Sequence, residues 1–265
     1  NSISDSSLFI FHKQDIRLYV FVYVDDIIVT GSSDSVISSF ISAISTRFLL
    51  KDLGPLSYFL VVEVTPTKFG LHLTQAKYVS DLLSKFNMLD ASPMTTPINT
   101  ENSLTRQLDQ PIQDESDYRA IVGSLHYLSL TRPDIAFAVN KLDQFLSHPI
   151  ADHWKALKRV LRYLVSILHS GIHLKRHITM PLHAYCDADL GRDTDTYVST
   201  TGYITFIGPN PISWSSKKQK AVSRSSTDAE FRAIADTTSE LLWLKSLLSE
   251  LLPPISPPVS FCDNL

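Results

Sequence analysis

The sequence is poor in cysteine, and it lacks the marks of a membrane-spanning or secreted chain. It has two cysteines in 265 residues, and they do not form a Cys-x-x-Cys pair. This scarcity argues against a zinc-binding cluster and against a framework of disulfide bonds. No apolar run is long enough to span a bilayer, and the N-terminus does not have the pattern of a signal peptide. We therefore expect no membrane insertion.

The chain also lacks an excess of positive charge. Its formal net charge is -3, whereas nucleic-acid binders usually carry a basic excess, so any contact with nucleic acid must come from local patches. Hydrophobic residues make up 44% and charged residues 19%, which is typical of a globular chain with one large domain or two modest ones. The sequence has no initiating Met, and strand-forming residues begin almost at once. We therefore expect a fragment.

Two adjacent carboxylates, Asp25 and Asp26, lie between apolar runs at 18–22 and 27–30. β-Branched and aromatic residues at this density predict two strands, and the polar pair predicts the hairpin turn between them. A charged pair amid so much apolar surface is costly unless water, a donor or a cation compensates it. Mg²⁺ is one such cation, because it takes carboxylate oxygens as ligands. An ordinary acidic turn is the alternative.

The middle of the chain predicts helices separated by a polar segment. Apolar residues recur at helical spacing from Val36 to Phe48, so we expect that helix to bury one face. Residues 91–116 have no periodicity and predict a linker or long loop. A helix predicted over 153–168 has an apolar face and a separate cluster of four cations: Lys155, Lys158, Arg159 and Arg162. This cluster is either a solvated surface or a contact for backbone phosphates. Three further cations are Lys217, Lys218 and Lys220.

The last third predicts three strands, a long helix and a fourth strand. Asp187 and Asp263 each end a predicted strand, while Glu230 lies at the start of the helix predicted over 227–252. Thr227 and Glu230 have the spacing of a capping box. Glu230 could thus serve only to cap its helix, and the two aspartates could serve only as turn formers.

Several stretches, in this order, resemble the copia-type branch of LTR retrotransposon Pol polyproteins. The resemblance begins with Tyr23-Val24-Asp25-Asp26, which is similar to the metal-binding palm motif of reverse transcriptases. It continues through Thr131-Arg132-Pro133-Asp134-Ile135 and Lys158-Arg159-Val160-Leu161-Arg162-Tyr163-Leu164, and ends with Ser225-Ser226-Thr227-Asp228-Ala229-Glu230. It covers nearly the whole chain.

The resemblance implies an α+β and α/β fold in four parts. Residues 1–98 would be the C-terminal part of a reverse transcriptase, with the palm hairpin and the start of the thumb. A linker at 99–116 and a helical connection at 117–178 would follow, and 179–265 would be a C-terminally truncated RNase H-like domain. The implied activity is RNA-templated DNA synthesis, with cleavage of the RNA strand of the hybrid by two-metal catalysis.

The same resemblance implies site residues, cofactors and partners. Asp25 and Asp26 would hold the polymerase Mg²⁺ or Mn²⁺, and Asp187, Glu230 and Asp263 would converge on the nuclease ions. The partners would be an RNA template, the RNA/DNA hybrid, dNTPs and the remainder of the Pol polyprotein. The location would be intracellular, in cytoplasmic virus-like particles, with the nucleus as a further compartment.

The chain also departs from the family pattern. Val61 replaces a Gly, Leu190 replaces a Trp, and part of each active centre would lie outside residues 1–265. We therefore expect no measurable primer extension by this chain, and the alternative is a catalytically dead relic that at most binds nucleic acid.

The two cysteines precede two of the acids, Cys186 before Asp187 and Cys262 before Asp263. If the module is RNase H-like, the strands that carry them are parallel neighbours. Side-chain alternation then predicts both sulfurs on the face opposite the acids, in the core beneath the long helix or its counterpart. We expect both to be close together, buried and reduced.

Overall fold

The computed structural model describes residues 1–99, 104–106, 112, 114–177, 179–252 and 256–263. In this part of the chain, three separate β-sheets are combined with six α-helices and one 3-10 helix. The predicted mixture of helix and strand is therefore confirmed. The linker predicted at 99–116 lies largely outside the described residues.

The N-terminal sheet is an antiparallel meander of three strands. Its members are β1 (Leu8–Lys13), β2 (Ile16–Tyr23) and β3 (Asp26–Gly31). Tyr23 pairs with Asp26 across the β2–β3 turn, as the apolar runs on either side of the acidic pair predicted. Leu18 and Val20 are the residues that this sheet buries most.

Helix α1 (Asp34–Ser45) forms where the apolar periodicity predicted it, but it has no buried residue. Phe48, at the end of the predicted apolar face, is 63% exposed. The expectation of a buried face was wrong for this chain. Periodicity shows that a helix has an apolar side, whereas burial also requires a partner surface, and the described residues supply little of one.

The central sheet joins segments that are far apart in sequence. Its strands are β4 (Tyr58–Phe59), β5 (Val62–Thr67), β6 (Gly70–Thr74) and β7 (Gly171–Lys175). β6 pairs with β7 in antiparallel register, so the segment predicted as a helical connection ends in a strand of this sheet. Gly171 cannot be replaced here without a clash, since a Cβ atom would lie 2.0 Å from the carbonyl oxygen of Leu73.

Four helices share the main hydrophobic core. They are α2 (Ala76–Lys85), α3 (Glu115–Leu128), α4 (Ala136–Asp143) and α5 (Ala151–Ser166). The predicted apolar face of α5 is confirmed, because Leu157, Val160, Leu161 and Leu164 are all buried in this core. A 3-10 turn at Pro133–Ile135 leads into α4. This core thus combines α2, from the segment predicted as reverse transcriptase, with α3, α4 and α5, which begin after residue 114.

The C-terminal sheet has the order β10-β9-β8-β11 and is covered on one face by the longest helix, α6 (Ser226–Leu251). The strands are β8 (Leu182–Ala188), β9 (Thr200–Ile207), β10 (Asn210–Lys218) and β11 (Val259–Cys262). β8 pairs with β9 in antiparallel register but with β11 in parallel register. α6 lies close to β8 because small residues meet there: Ala184, Ala188, Ala229 and Ala233. This packing positions the N-terminal turn of α6 beside the ends of β8 and β11.

Candidate functional site

The first candidate site is the tip of the β2–β3 hairpin. The strands are joined by a two-residue turn, Val24-Asp25, and Val24 has a φ of 50°. A positive φ is strained for a β-branched residue, and strain of this kind is often found at functional turns. Asp25 and Asp26 are both exposed at this tip. The predicted acidic hairpin turn is therefore confirmed in its geometry.

The hairpin tip presents its carboxylates to solvent. Tyr23 and Phe21 pack edge-on against Phe59 of β4, with ring centroids 6.5 Å and 6.1 Å apart, which supports the hairpin from one side. Within the described residues, no cation forms an ion pair with Asp25 or Asp26. Two adjacent, accessible carboxylates of this kind have the chemistry of a site for a hard divalent cation.

The second candidate site begins at the N-terminus of α6. Ser225 is the N-cap, and its side chain accepts a hydrogen bond of 3.1 Å from the backbone N–H of Asp228. The capping box predicted between Thr227 and Glu230 was therefore wrong: the helix begins two residues earlier than that spacing requires. Glu230 lies beyond the capping position and its side chain is turned towards the sheet, where it is buried.

Glu230 is in contact with two neighbouring strands. Its Oε2 atom accepts a hydrogen bond of 3.1 Å from the Sγ of Cys262 on β11, and its Oε1 atom lies 3.4 Å from the backbone nitrogen of Ala188 at the end of β8. Among the described residues, one group of potential metal ligands has all its ligand atoms within 4.8 Å of one another: Glu230, Cys262 and Asp263. The predicted approach of Glu230 and Asp263 is thus present in the geometry.

Asp187 is not a member of this group. Cys186 and Ala188, on either side of it, pack towards α6, so side-chain alternation directs Asp187 to the opposite face of β8, where it is exposed. Two of the three carboxylates expected to converge therefore do so, and the third does not. The two-residue period of a strand explains the difference, because neighbouring side chains point to opposite faces of the sheet.

The cysteines follow the prediction in part. Cys186 and Cys262 are paired in the parallel register of β8 and β11, and no disulfide joins them. Cys186 is buried, but Cys262 is only half-buried. Their sulfurs lie beneath α6, as expected, but this is the face of Glu230 and not one opposite all three acids. The thiol of Cys262 was therefore missed as a potential ligand, although its position directly before Asp263 was visible in the sequence.

The four cations of α5 divide into two pairs. Lys155 and Lys158 are exposed, with Lys155 bonded to Asp152 at 2.8 Å and Lys158 lying over the ring of Trp154. Arg159 and Arg162 instead donate hydrogen bonds to the backbone carbonyls of Thr96 and Ser92, which lie in the loop after α2. All four line a groove of about 620 Å³ between α5 and this loop. The arginines therefore also hold the loop in place.

The cations near the end of β10 also differ from one another. Lys217 and Lys220 are exposed, whereas Lys218 lies 2.9 Å from the buried carboxylate of Asp193. Lys141 of α4 is also 2.9 Å from Asp193. Burial opposes ionisation of Asp193, but hydrogen bonds from Lys218 and Lys141 outweigh it and hold the pKa of Asp193 well below its usual range. Asp193 thus links the C-terminal sheet to the helical core through Lys141, and the ammonium group of Lys218 already has an anionic partner.

Comparison with known proteins shows which family has these features. Residues 2–100, which include the hairpin, match the family model "Reverse transcriptase (RNA-dependent DNA polymerase)". The whole chain is 52% identical to the retrovirus-related Pol polyprotein from transposon RE2 of Arabidopsis thaliana, of which it covers 18%. It is 44% identical over 85% of its length to an uncharacterized mitochondrial protein of the same plant, and covers 94% of that protein. The chain belongs to the copia-type retrotransposon Pol family.

Family membership extends beyond plants and concerns a segment of a longer polyprotein. A putative transposon Ty5-1 protein of Saccharomyces cerevisiae is 30% identical over 89% of the chain, which covers 78% of that protein. The chain spans about a fifth of the plant transposon Pol polyprotein that it matches in full. None of the helices in the described part of this Pol segment has the length and apolarity that a bilayer crossing requires.

Proposed function

We propose that this chain is the part of a copia-type Pol that contributes carboxylates to two metal-dependent centres, one for RNA-directed DNA synthesis and one for ribonuclease H cleavage. In this interpretation, the N-terminal sheet is the end of a polymerase palm, and the helical core belongs to the thumb and connection. The C-terminal sheet with α6 is an RNase H-like module. The reverse transcriptase match over residues 2–100 supports the first part. The parallel β8–β11 pair beneath α6 supports the second.

The polymerase centre would use Asp25 and Asp26. Both carboxylates are exposed at the tip of the hairpin, where incoming dNTP and primer could approach without displacing buried structure. Their donor set suits Mg²⁺ or Mn²⁺, which take oxygen ligands. The chain would then hold the ion at the hairpin tip through these two carboxylates. The turn at Val24 fixes the direction of the carboxylates.

The nuclease centre would use Glu230 and Asp263, together with Asp187. The observation that carries this proposal is the approach of a buried helix carboxylate to an acid at the end of a parallel strand, with ligand atoms within 4.8 Å. The role of Asp187 rests on the family resemblance, since its side chain must turn around the end of β8 to join them. Bound Mg²⁺ or Mn²⁺ would supply an activated hydroxyl nucleophile and stabilise the leaving oxygen in both centres.

The substrates of these centres would be an RNA template and the RNA/DNA hybrid. The exposed cations Lys155, Lys158, Lys217 and Lys220 are suited to contact backbone phosphates. Arg159 and Arg162 border the same groove as Lys155 and Lys158. Lys218, next to Lys217 at the end of β10, is already paired with Asp193. The remainder of the Pol polyprotein would supply the other parts of each active centre. We propose an intracellular location for this chain, in cytoplasmic virus-like particles and the nucleus.

A cleavage assay with the full 265-residue chain tests the nuclease proposal. A hybrid with a 5′-labelled RNA strand is incubated with the protein and Mn²⁺, and the products are separated on a denaturing gel. We expect slow, metal-dependent cleavage of the RNA strand that is lost in Glu230→Gln. The matched control is Asp236→Asn, an exposed acid on the same helix, which should cleave like the unmodified chain.

A non-catalytic relic is the second candidate function, and the position of Asp187 favours it. A nuclease that needs three convergent carboxylates would be impaired if Asp187 stayed on the far face of β8. In that case the chain would bind the hybrid in an electrophoretic mobility assay but leave its RNA strand intact, and Glu230→Gln would change neither result. Cleavage that survives Glu230→Gln would contradict the proposed centre.

A further inference from the structure

A cavity lies where the helical core, the central sheet and the C-terminal sheet meet. Its wall consists of residues 131–134 around the 3-10 turn, Tyr163 and Ile167 near the end of α5, residues 170–173 at the start of β7, and Pro211 of β10. The volume of this junction cavity is about 330 Å³, within the range of roughly 300–1,000 Å³ that is usual for small-molecule sites. The junction cavity shares no residue with the groove on α5 or with the two proposed metal centres.

Arg132 lies in the wall of this cavity, and its side chain is only 3% exposed. Its Nε and Nη2 atoms donate hydrogen bonds to the two carboxylate oxygens of Asp134, at 2.9 Å and 2.6 Å. The hydroxyl of Tyr163 donates to the same carboxylate at 2.8 Å, and the centre of its ring lies 5.9 Å from the guanidinium carbon of Arg132. Together these contacts fix the plane of the guanidinium group.

The third nitrogen of this guanidinium group has no acceptor. In the described part of the chain, Nη1 of Arg132 is the only buried side-chain nitrogen or oxygen atom without a hydrogen-bond partner. A buried donor of a charged group is costly to leave unpaired. The ion pair with Asp134 does not satisfy it, because Asp134 binds the edge formed by Nε and Nη2, and Nη1 lies on the other side of the guanidinium carbon. An acceptor from outside the chain would complete this group.

Two further side chains of the cavity are able to donate. Ser170 and His173 are exposed, and within the described residues neither side chain forms a hydrogen bond. The ring of His173 stacks on that of His72, with the ring centroids 4.0 Å apart, which holds it beside the cavity. Because Ser170 and His173 are exposed, their side chains can rotate to admit a ligand.

The acid of the cavity wall is already occupied. Burial opposes ionisation of Asp134, but hydrogen bonds from Arg132 and the charge of Arg132 outweigh it and lower the pKa of Asp134. Asp134 therefore stays ionised, and both its oxygens accept hydrogen bonds from Arg132 or Tyr163. The side chains that remain available to a ligand are thus the donors of Arg132, Ser170 and His173.

Three donors around one cavity suit an oxyanion. Arginine is well suited to phosphate, because its guanidinium group is always charged and presents several N–H donors in one plane. We propose that the junction cavity binds a phosphate group through Nη1 of Arg132, with the Ser170 hydroxyl and the His173 ring as further donors. Asp134 is then a positioning residue, which orients the guanidinium group without touching the phosphate. The phosphate belongs to a free nucleotide or to the backbone of a nucleic-acid strand, since both present this chemistry.

Nuclear magnetic resonance of the guanidinium groups tests the site in the full 265-residue chain. The protein is labelled with ¹⁵N-arginine and titrated with inorganic phosphate, while sodium chloride of equal ionic strength serves as the reference. We expect one set of guanidinium signals to shift and to saturate. The absence of this set from the spectrum of Arg132→Lys assigns it to Arg132.

Three variants measure the contribution of each donor. The affinity for inorganic phosphate is obtained from the rise in the unfolding midpoint with phosphate concentration. Arg132→Lys keeps a cation beside Asp134 but lacks Nη1, and it should weaken binding by at least about tenfold. Ser170→Ala and His173→Phe should each weaken it by roughly two- to tenfold, the effect of one hydrogen bond.

His169→Phe is the matched control for the histidine variant. His169 is exposed and does not line the cavity, so this variant should bind phosphate like the unmodified chain. Far-ultraviolet circular dichroism shows whether each variant is folded. If Arg132→Lys does not fold, Ser170→Ala and His173→Phe still test the site, because both replace exposed side chains.

Two further titrations identify the source of the phosphate. If the site takes a free nucleotide, a nucleoside monophosphate should bind more tightly than inorganic phosphate, and Arg132→Lys should leave the affinity for the RNA/DNA hybrid unchanged. If the site takes a strand, the hybrid should shift the same guanidinium signals, and Arg132→Lys should weaken hybrid binding. Either pattern supports the phosphate site.

The opposite result is equally clear. The proposal is overturned if phosphate causes no saturable shift of the Arg132 signals in the folded chain. It is also overturned if the folded variants of Arg132, Ser170 and His173 bind phosphate as tightly as the unmodified chain. Neither measurement requires metal-dependent cleavage, so failure of the proposed nuclease and failure of this site are distinguishable.

Discussion

Lys218 and Asp193 form an ion pair of 2.9 Å that connects strand β10 to the loop between β8 and β9. Lys141 on α4 contacts the same carboxylate, so Asp193 joins the C-terminal sheet to the helical core. The side chain of Asp193 is only 5% exposed, which makes this one of the few strongly desolvated charges in the described structure. The C-terminal sheet also contacts the helical core through the hydrogen bond from the Trp214 indole to the carbonyl of Ser129.

Replacing Asp193 should therefore be costly. Asp193→Asn leaves two lysines close together without their counter-charge, and we expect the free energy of unfolding to fall by about 2–3 kcal/mol, since the lysines are partly exposed. The pKa of Asp193 is lowered in the folded chain. The contribution of Asp193 to the free energy of unfolding is therefore fully present above the ordinary titration range of Asp, and it is lost as the pH falls into strongly acid solution. Urea denaturation measures the change. The exposed Asp90→Asn is the control, and an equal loss in that variant would contradict the argument.

His153 predicts a second pH dependence. Its ring accepts from the N–H of Ile150 through Nδ1 and donates to the carbonyl of Thr105 through Nε2, so the neutral form suits both contacts. Burial lowers the pKa of His153, although the Thr105 contact opposes the shift. Below the unfolded pKa of about 6.5, the unfolded chain binds more protons, and stability falls as the pH falls.

We expect the free energy of unfolding to decrease between pH 7.5 and pH 5.5, and this decrease to be smaller in His153→Gln. The exposed His169→Gln should keep the full decrease. Denaturation with urea at a series of pH values checks both variants. The same pH profile in His153→Gln and the unmodified chain would show that other groups cause the change.

The start of α6 gives a prediction about capping. Ser225→Ala removes the hydrogen bond to the N–H of Asp228 and should lower the free energy of unfolding by about 1 kcal/mol. Thr227→Ala, at the position that the sequence pattern favoured, should cost clearly less, because Thr227 is exposed and is not the N-cap. Thermal or urea unfolding measures both. A larger loss in Thr227→Ala would place the helix start where the sequence pattern predicted it.

The basic groove gives a prediction about nucleic acid. Lys158→Ala removes an exposed cation without breaking an ion pair among the described residues. If Lys158 contacts a phosphate, the variant should bind the hybrid more weakly, and the slope of log K against log salt concentration should decrease in magnitude by about 1. Fluorescence anisotropy at several salt concentrations measures the slope. Lys245→Ala, an exposed cation on α6, serves as the control. A slope that is unchanged in Lys158→Ala would exclude this residue from phosphate contact.

The local elements could be predicted from the sequence because their causes are local. The apolar runs beside Asp25 and Asp26 determine two strands and a turn, and the spacing of Leu157, Leu161 and Leu164, four and then three residues apart, determines the buried face of α5. The parallel pairing of Cys186 with Cys262 is not local, and it was expected only from the family resemblance.

Tertiary structure alone decided which side chains meet. The sequence shows that α1 has an apolar side, but only the fold shows that the described chain leaves it without a buried residue. Glu230 could be a capping residue or a ligand until Ser225 was seen to cap the helix, and Cys262 became its neighbour only through the parallel register of β11 with β8. Asp187 points away from Glu230 because side chains alternate along β8. Which face of β8 is covered depends on where α6, a helix distant in sequence, packs.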